Sequence, residues 1–543
     1  MRRAVNRLNL DDPRERLLGR CLRRQAEAIP DRDFLVSDDV HWSYGRVNEL
    51  ANSMASAFGE LGVARGDTVC IMMDTHPAYV WTTLGLNKLG AVWVPTSTDY
   101  KGTWLRDRLA ESRARVLVVD EGLVARVAEC GSAGLPFERV VVRGDARAAD
   151  RLGLPAVSLA ELEGAPAKEP DDRALFLGDT AAILWTSGTT GRSKGVMQSH
   201  NVWIRAAVNG AVNAGLREGE IIYSCLPMYQ SASWVSNIYR ALVCGVPCAI
   251  DARFSVTDFW DRCRFYGATM TFTLGAMHIF LWQQPPRDDD ARNPIRTAGM
   301  VPMPEALIEP FKRRFGIEEI HQGYGQSEVM ALLSRRPGKR YAPNSLGEPA
   351  DGIDVRILDD RDYEVAPGET GEFCVRPLEP YAIFNGYFER PELTVGAWRN
   401  LWYHTGDLGR RDAAGEYYFV DRKADFIRFK GRNIASVEVE AAVAAHPAVA
   451  QAAAHGVTSE ELAAEAELKV CVVCKPGQKV SAEELARFVA DTAPRHFVPR
   501  YIEFLDALPA TPTGRVQKFA LRERGVTAQT WDAKRAGFTV AKR

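Results

Sequence analysis

A chain of 543 residues is too long for one ordinary hydrophobic core, so at least two domains are expected, one of them large. Lysine and arginine number 68 against 70 acidic residues, a net charge of -2, and no block of like charge stands out, which excludes the electrostatic footprint of a nucleic-acid or membrane-surface protein. The basic start Met1-Arg-Arg runs into polar Asp11-Asp-Pro rather than an apolar signal core, no apolar run reaches spanning length, and the ten cysteines are scattered; a soluble cytoplasmic protein with reduced thiols and no integral membrane association is expected.

In chain order, Val47, Leu50, Ala51, Met54, Phe58 and Leu61 recur at helical spacing and predict an amphipathic helix. The runs at 68–73, 90–95 and 116–120 are short and apolar, as buried strands of a parallel sheet require. Residues 130–178, richer in Gly, Pro, Ala and charge, read as surface connections before a strand at 181–185. Toward the end the pattern changes to helix (437–445), strand (468–474), helix (482–490) and strand (501–504), enough for a small α+β domain. Cys471-Val-Val-Cys474 lies inside the strand-like run with no second pair to complete a zinc site, so core packing is expected of it. The domains are therefore placed at 1–421 and 422–527, with 528–543 as a loosely attached tail.

The chemistry is concentrated in a few segments. Thr186-Ser-Gly-Thr-Thr-Gly-Arg-Ser-Lys-Gly195 follows a strand and precedes an expected helix; its hydroxyls, unhindered N–H groups and the charge of Lys194 suit phosphate oxygens. No Gly-Lys-Ser/Thr ends it, so it is not a Walker loop. In Gly323-Tyr-Gly-Gln-Ser-Glu328 an aromatic ring for stacking, a hydroxyl for an α-phosphate and a hard carboxylate for Mg²⁺ stand together. In Trp402-Tyr-His-Thr-Gly-Asp407 a carboxylate can accept from two ribose hydroxyls at once, while His404 is read as structural.

These segments resemble the adenylate-forming superfamily: acyl- and aryl-CoA synthetases, peptide-synthetase adenylation domains and luciferases. In character the chain is closest to bacterial fatty-acid or crotonobetaine/carnitine-CoA ligase-like enzymes, and the likeness covers nearly its whole length. The resemblance implies an α/β fold, with a large N-terminal domain of doubly wound sheets plus a small β region, and a small mobile α+β C-terminal domain. It assigns Thr186, Ser187, Gly188, Thr189, Thr190, Gly191 and Lys194 to the β- and γ-phosphates of ATP. Ala298 and Gly299 would lie against adenine, Tyr324 would stack on it, and Ser327 would reach the α-phosphate. Glu328 would hold Mg²⁺, Asp407 the ribose, and Arg422 the nucleotide near the domain junction. Gln230, Trp234, Met300 and Gly323 fall where the acyl pocket is expected, Trp234 being equally readable as core. Gly431 matches the glycine lining a pantetheine tunnel for CoA, and Ala424 stands at the hinge about which the small domain turns.

Several positions depart from the family pattern. The catalytic cation is Arg515 where a lysine is usual, with Lys518 an equal candidate; Gln230 replaces a histidine and Ala424 an Asp or Lys. The first expectation is ATP-dependent adenylation of a small-molecule carboxylic acid followed by thioester formation with CoA, favoured also by the absence of a following carrier domain. The alternative is an ATP-dependent diazotase, or another non-CoA ligase, that adenylates nitrite or passes the adenylate to an amine. A catalytically weak nucleotide-binding protein is a third reading, against which Glu328 and Asp407 speak. A homo-oligomer is compatible with the sequence but not indicated by it.

Overall fold

The computed structural model describes residues 8–131, 134–186, 194–423, 425, 427–429, 432–458, 466–494, 497–510 and 516–539. They form two compact units, one of 8–186, 194–355 and 375–401, the other of 356–374 and 402–539.

Among the described residues, the first unit holds two sheets of seven strands. In one, the spatial order is Ala156–Ser158, Arg139–Arg143, Val116–Asp120, Thr68–Met72, Val92–Pro95, Thr180–Thr186 and Lys194–Ser199, parallel except for the last pair. In the other it is Glu319–His321, Thr297–Val301, Met270–Leu274, Ile222–Ser224, Cys248–Ile250, Asp33–Ser37 and Val40–Ser43, again parallel apart from the final pair. Strands buried on both faces need apolar residues throughout, and Val116–Asp120 is buried at every position.

The main core lies between the sheets, where Val69, Ile71 and Trp93 of one and Phe34, Ile222 and Met270 of the other share a cluster with the helices Tyr44–Glu60, Pro77–Leu89 and His200–Asn213. The helix Tyr44–Glu60 buries Val47, Leu50, Ala51, Met54 and Phe58, as the spacing predicts, and starts where the Ser43 side chain accepts from the Arg46 N–H. Close packing demands small residues at crossings. A Cβ at Gly85 would stand 2.4 Å from the Met54 Cβ and 2.7 Å from the Ala51 carbonyl.

In the second unit, Trp402–Arg411 pairs with Tyr417–Arg422, and a four-stranded sheet runs Val449–Thr458, Ala466–Cys474, Tyr501–Phe504 and Trp531–Asp532. The helices Ser436–Ala444 and Ala482–Thr492 close its core through Val439, Val443, Leu485 and Val489. Cys471 is buried in this sheet and burial pushes its thiol up to about 11; no cysteine among the described residues is in a disulfide.

Three expectations are corrected. Residues after the phosphate loop form the strand Lys194–Ser199 before any helix, because they complete a hairpin with Thr180–Thr186. The 130–178 stretch contributes two strands, Arg139–Arg143 and the edge strand Ala156–Ser158, whose valines extend the first sheet. From the expected tail, Trp531 packs edge-on against Phe538 at 5.8 Å and pairs with Ile502, so apolar burial fastens it to the sheet.

Lys469 and Glu503 are fully buried and ion-paired inside the second unit. Burial raises the Glu503 carboxyl, but hydrogen bonds from Lys469, Arg524 and Thr527 outweigh it and bring the group down to about 2 from an ordinary 4.5. Its stabilising contribution is therefore complete above 4.5 and is lost as pH falls from there through about 2. Lys469→Met, which strands the carboxylate, is expected to cost about 3 kcal/mol in denaturant unfolding followed in this unit.

Candidate active site

The strand Lys194–Ser199 is paired on both edges. On one side the register sets Thr186 opposite Lys194 and Trp185 opposite Gly195, so the ends of the intervening loop are brought together by the ladder. On the other side the Phe388 N–H donates to the Gly195 carbonyl at 2.7 Å, Met197 N–H to Gly386 at 3.0 Å, and Asn385 N–H to Met197 at 2.8 Å. Gly195 cannot be larger, since a Cβ there would meet Ile183 at 2.9 Å and the Trp185 ring at 3.1 Å. Ser187, Gly188, Thr189, Thr190 and Gly191 lie outside the described residues.

This double pairing places Tyr387 between two residues singled out from the sequence. The Lys194 ammonium sits 4.7 Å from the centre of the Tyr387 ring. The Tyr387 hydroxyl donates to Glu328 Oε1 at 2.9 Å, and the Glu328 backbone carbonyl accepts from Phe384 N–H at 3.0 Å. Glu328 is 9% exposed, so its carboxylate is both screened and aimed. Tyr387 was not anticipated. Its contact with Glu328 arises from pairing between distant segments, for which the sequence carries no periodic signal.

Around Glu328, Gly323–Tyr324 pairs with Leu333–Ser334, and the Tyr324 hydroxyl accepts from the Gln326 amide at 3.1 Å. A Cβ at Gly325 would lie 2.5 Å from the Met330 carbonyl, which reserves that turn for glycine. The Ser327 carbonyl accepts from the buried Gln198 side chain. In Thr297–Val301 the residues alternate: Ala298 and Met300 point into the outer core with Phe311 and Ile320, whereas Gly299 faces Phe272, whose ring would stand 2.4 Å from a Cβ.

Met300 is fully buried in that core. Trp234 is fully buried too, its indole N–H donating to the Met228 carbonyl at 2.6 Å and its ring 4.8 Å from Trp93 and 5.2 Å from Tyr239. Aromatic area of that size is retained by the core. Gln230 precedes the short turn Ser231–Ser233 and is half-buried.

In the second unit the hairpin sets Asp407 opposite Arg422, with Arg422 Nε 3.5 Å from Asp407 Oδ1. Asp407 is 3% exposed, and its N–H donates to the Thr405 hydroxyl at 3.1 Å, which orients the turn. Lys518 is ion-paired to Glu440 at 2.7 Å and donates to the Ser436 hydroxyl. Arg515, Ala424 and Gly431 lie outside the described residues. His404 is held by Glu372 at 3.2 Å and by Cys374 at 3.3 Å. Glu372, Cys374 and His404 could in principle ligate a metal ion, but the Lys423 ammonium at 3.0 Å already balances Glu372.

A lysine beside a buried carboxylate at the C-terminal side of a doubly wound sheet, and an aspartate–arginine pair on a separate hairpin, define an adenylate-forming enzyme. Residues 22–388 match the AMP-binding enzyme family and residues 438–515 its C-terminal domain. The chain belongs to this family and is an AMP-forming ligase. Crotonobetaine/carnitine–CoA ligase of Salmonella arizonae is 29% identical over 493 residues, covering 89% of this chain and 93% of the relative. Among solved structures, a benzoate CoA ligase from Burkholderia xenovorans superposes with a TM-score of 0.79 at 25% identity, over 93% of this chain and 99% of that one. A fatty acyl CoA synthetase of Mycobacterium tuberculosis gives 0.73 at 26%, over 94% and 99%. No helix among the described residues is long and apolar enough to cross a membrane.

Tyr387→Phe keeps the ring under Lys194 and removes the donor to Glu328. It is expected to lower kcat/KM for ATP roughly 10-fold with little change in melting temperature, read from pyrophosphate release and thermal unfolding.

Proposed function

We propose that this protein joins a carboxylic acid to CoA in two steps, forming an acyl-adenylate and pyrophosphate from ATP and then a thioester with release of AMP. The observation that carries the reading is the grouping of Lys194, Tyr387 and Glu328, which presents a positive charge and a screened hard oxygen on neighbouring backbone. The relatives and solved structures named as CoA ligases support CoA as acceptor.

The acid needs no general base, since a carboxylate is already ionised. Catalysis is then positioning and charge neutralisation. Lys194 and the hydroxyls of the 186–191 loop would hold the β- and γ-phosphates. Tyr324 would stack on adenine, with the backbone of Ala298 and Gly299 beside it, and Ser327 would meet the α-phosphate. Asp407 would receive the ribose hydroxyls, with Arg422 reaching the nucleotide. Glu328 fits Mg²⁺, being a buried carboxylate whose orientation the Tyr387 hydroxyl sets; the ion would offset charge on the departing pyrophosphate.

Of the two candidate cations, Lys518 is engaged by Glu440 and Ser436, which favours Arg515 for the α-phosphate. The 422–527 region would act as the mobile small domain, turning at Ala424 so that Gly431 lines the CoA tunnel for the second step. Gln230 and Gly323 would border the acid. Thiols without disulfides among the described residues fit a reducing, cytoplasmic setting.

Pyrophosphate release should require ATP, Mg²⁺ and a carboxylic acid, and CoA should convert the adenylate to a thioester. CoA-independent turnover on nitrite with an aryl amine would overturn the proposal. Lys194→Ala and Glu328→Ala are each expected to slow adenylation roughly 100-fold. Arg515→Ala should do likewise while Lys518→Ala does not; the reverse outcome would move the role to Lys518.

A further inference from the structure

Arg205 and Arg240 are both buried in the first unit, and they are satisfied very differently. Arg205 is 6% exposed, and its guanidinium donates to the carbonyls of Ala382, Asp351 and Ala331 at 2.9 to 3.0 Å, as a structural arginine should. Arg240, on the short helix Tyr239–Cys244, is 8% exposed and has no carboxylate partner among the described residues. Among the described residues its one hydrogen-bond partner is the Met270 sulfur, 3.8 Å from Nη1, and its Nε has none.

Burial lowers the Arg240 guanidinium to about 10, so it remains charged at neutral pH. A charge taken out of water without a partner is costly, and such a group persists where something else compensates it.

The surroundings show where that compensation belongs. Met270 is in register with Thr297, and Gly299 with His321, which puts Met270, Thr297 and His321 on one face of the sheet. On that face the Thr297 hydroxyl and His321 Nε2 are also buried without hydrogen-bond partners. Glu319, the one acid there on these three strands, is exposed. Burial, then the charges of Arg240 and Arg296, push the His321 imidazole down to about 4, so it is neutral and able to donate.

The helix His200–Asn213 completes the wall. Gly210 admits the guanidinium, since a Cβ there would stand 2.4 Å from Arg240 Nη2. Farther along, Asn213 donates at 2.6 Å to the Ser334 hydroxyl, and Ser334 is the register partner of Gly323, the residue proposed to border the acid. Arg240 Nε, the Thr297 hydroxyl and His321 Nε2, each without a partner among the described residues, thus belong to the Met270 side of this sheet, on a wall that leads through Asn213 and Ser334 toward Gly323.

We propose that Arg240, with His321 and Thr297, receives a second carboxylate at the far end of the substrate, so that the acid adenylated is a dicarboxylate. The proposal rests on the ligase reading above. It separates this chain from its crotonobetaine/carnitine relatives, whose named substrates carry a quaternary ammonium that Arg240 would repel.

The test is kcat/KM from pyrophosphate release, with ATP, Mg²⁺ and CoA, for malonate, succinate, glutarate, adipate and phthalate. Each is compared with the monocarboxylate of matched length, and carnitine and benzoate are included. A dicarboxylate should exceed its matched monocarboxylate by roughly 100-fold in the wild type. Arg240→Met should collapse that ratio toward one, chiefly through KM for the acid, and Arg240→Lys should restore part of it. A wild-type preference for monocarboxylates or carnitine would overturn the proposal while leaving the ligase reading intact. So would an Arg240→Met enzyme that is less stable and slows every acid alike. Should Arg240→Met fail to fold, the wild-type ratios and Arg240→Lys decide. No pyrophosphate with any acid would instead overturn the ligase reading, and this proposal with it.

Discussion

The strand Lys194–Ser199 is held by backbone hydrogen bonds along both edges, and the geometry of the nucleotide side depends on that double pairing. One edge returns the chain from the phosphate loop with Thr186 and Lys194 opposed. The other captures segment 385–388 and with it Tyr387, whose ring and hydroxyl tie a lysine and a glutamate that are remote in sequence. A long, flexible cation would otherwise sample many rotamers, and an unassisted carboxylate would turn to water. Backbone pairing removes that freedom without using up the charges themselves.

Buried charge is managed in three distinct ways. Lys469 and Glu503 neutralise each other and are shared with Arg524 and Thr527, a closed network in a small sheet. Arg205 spreads its charge over backbone carbonyls and joins the 331, 351 and 382 segments to a central helix. Arg240 has neither kind of partner. Because the cost of burying charge is the same physics in all three places, the contrast among them separates structural arginines from one poised toward a ligand.

Recognition of the acid is the part of this enzyme where family pattern helps least. Trp234 and Met300 are fully buried, and the small residues Gly210 and Gly299 leave room for Arg240 and Phe272. Gln230 stands where a histidine is usual in the family, so on the proposed reading the carboxylate being activated would meet a neutral amide.

Much of the architecture was legible in the amino-acid order. Apolar runs too short for helices announced the strands at 68, 116, 181, 468 and 501, and the helix from Tyr44 followed from spacing, because a strand or helix period is a local property. The glycine- and hydroxyl-rich loop, the Tyr324 to Glu328 segment and Asp407 stand out in the sequence, since each is a short run of residues with its own chemistry, and their roles belong to the proposed function. Local texture misled where burial overrode it: charged, alanine-rich residues in 130–178 still supply two strands of the first sheet, and Trp531 fastens an apparent tail. Only the tertiary structure decided that Tyr387 joins Lys194 to Glu328, that Asp407 faces Arg422, and that Arg240 is left without an acid. These facts depend on which distant strands and helices become neighbours, a matter of global packing that no local period or spacing encodes.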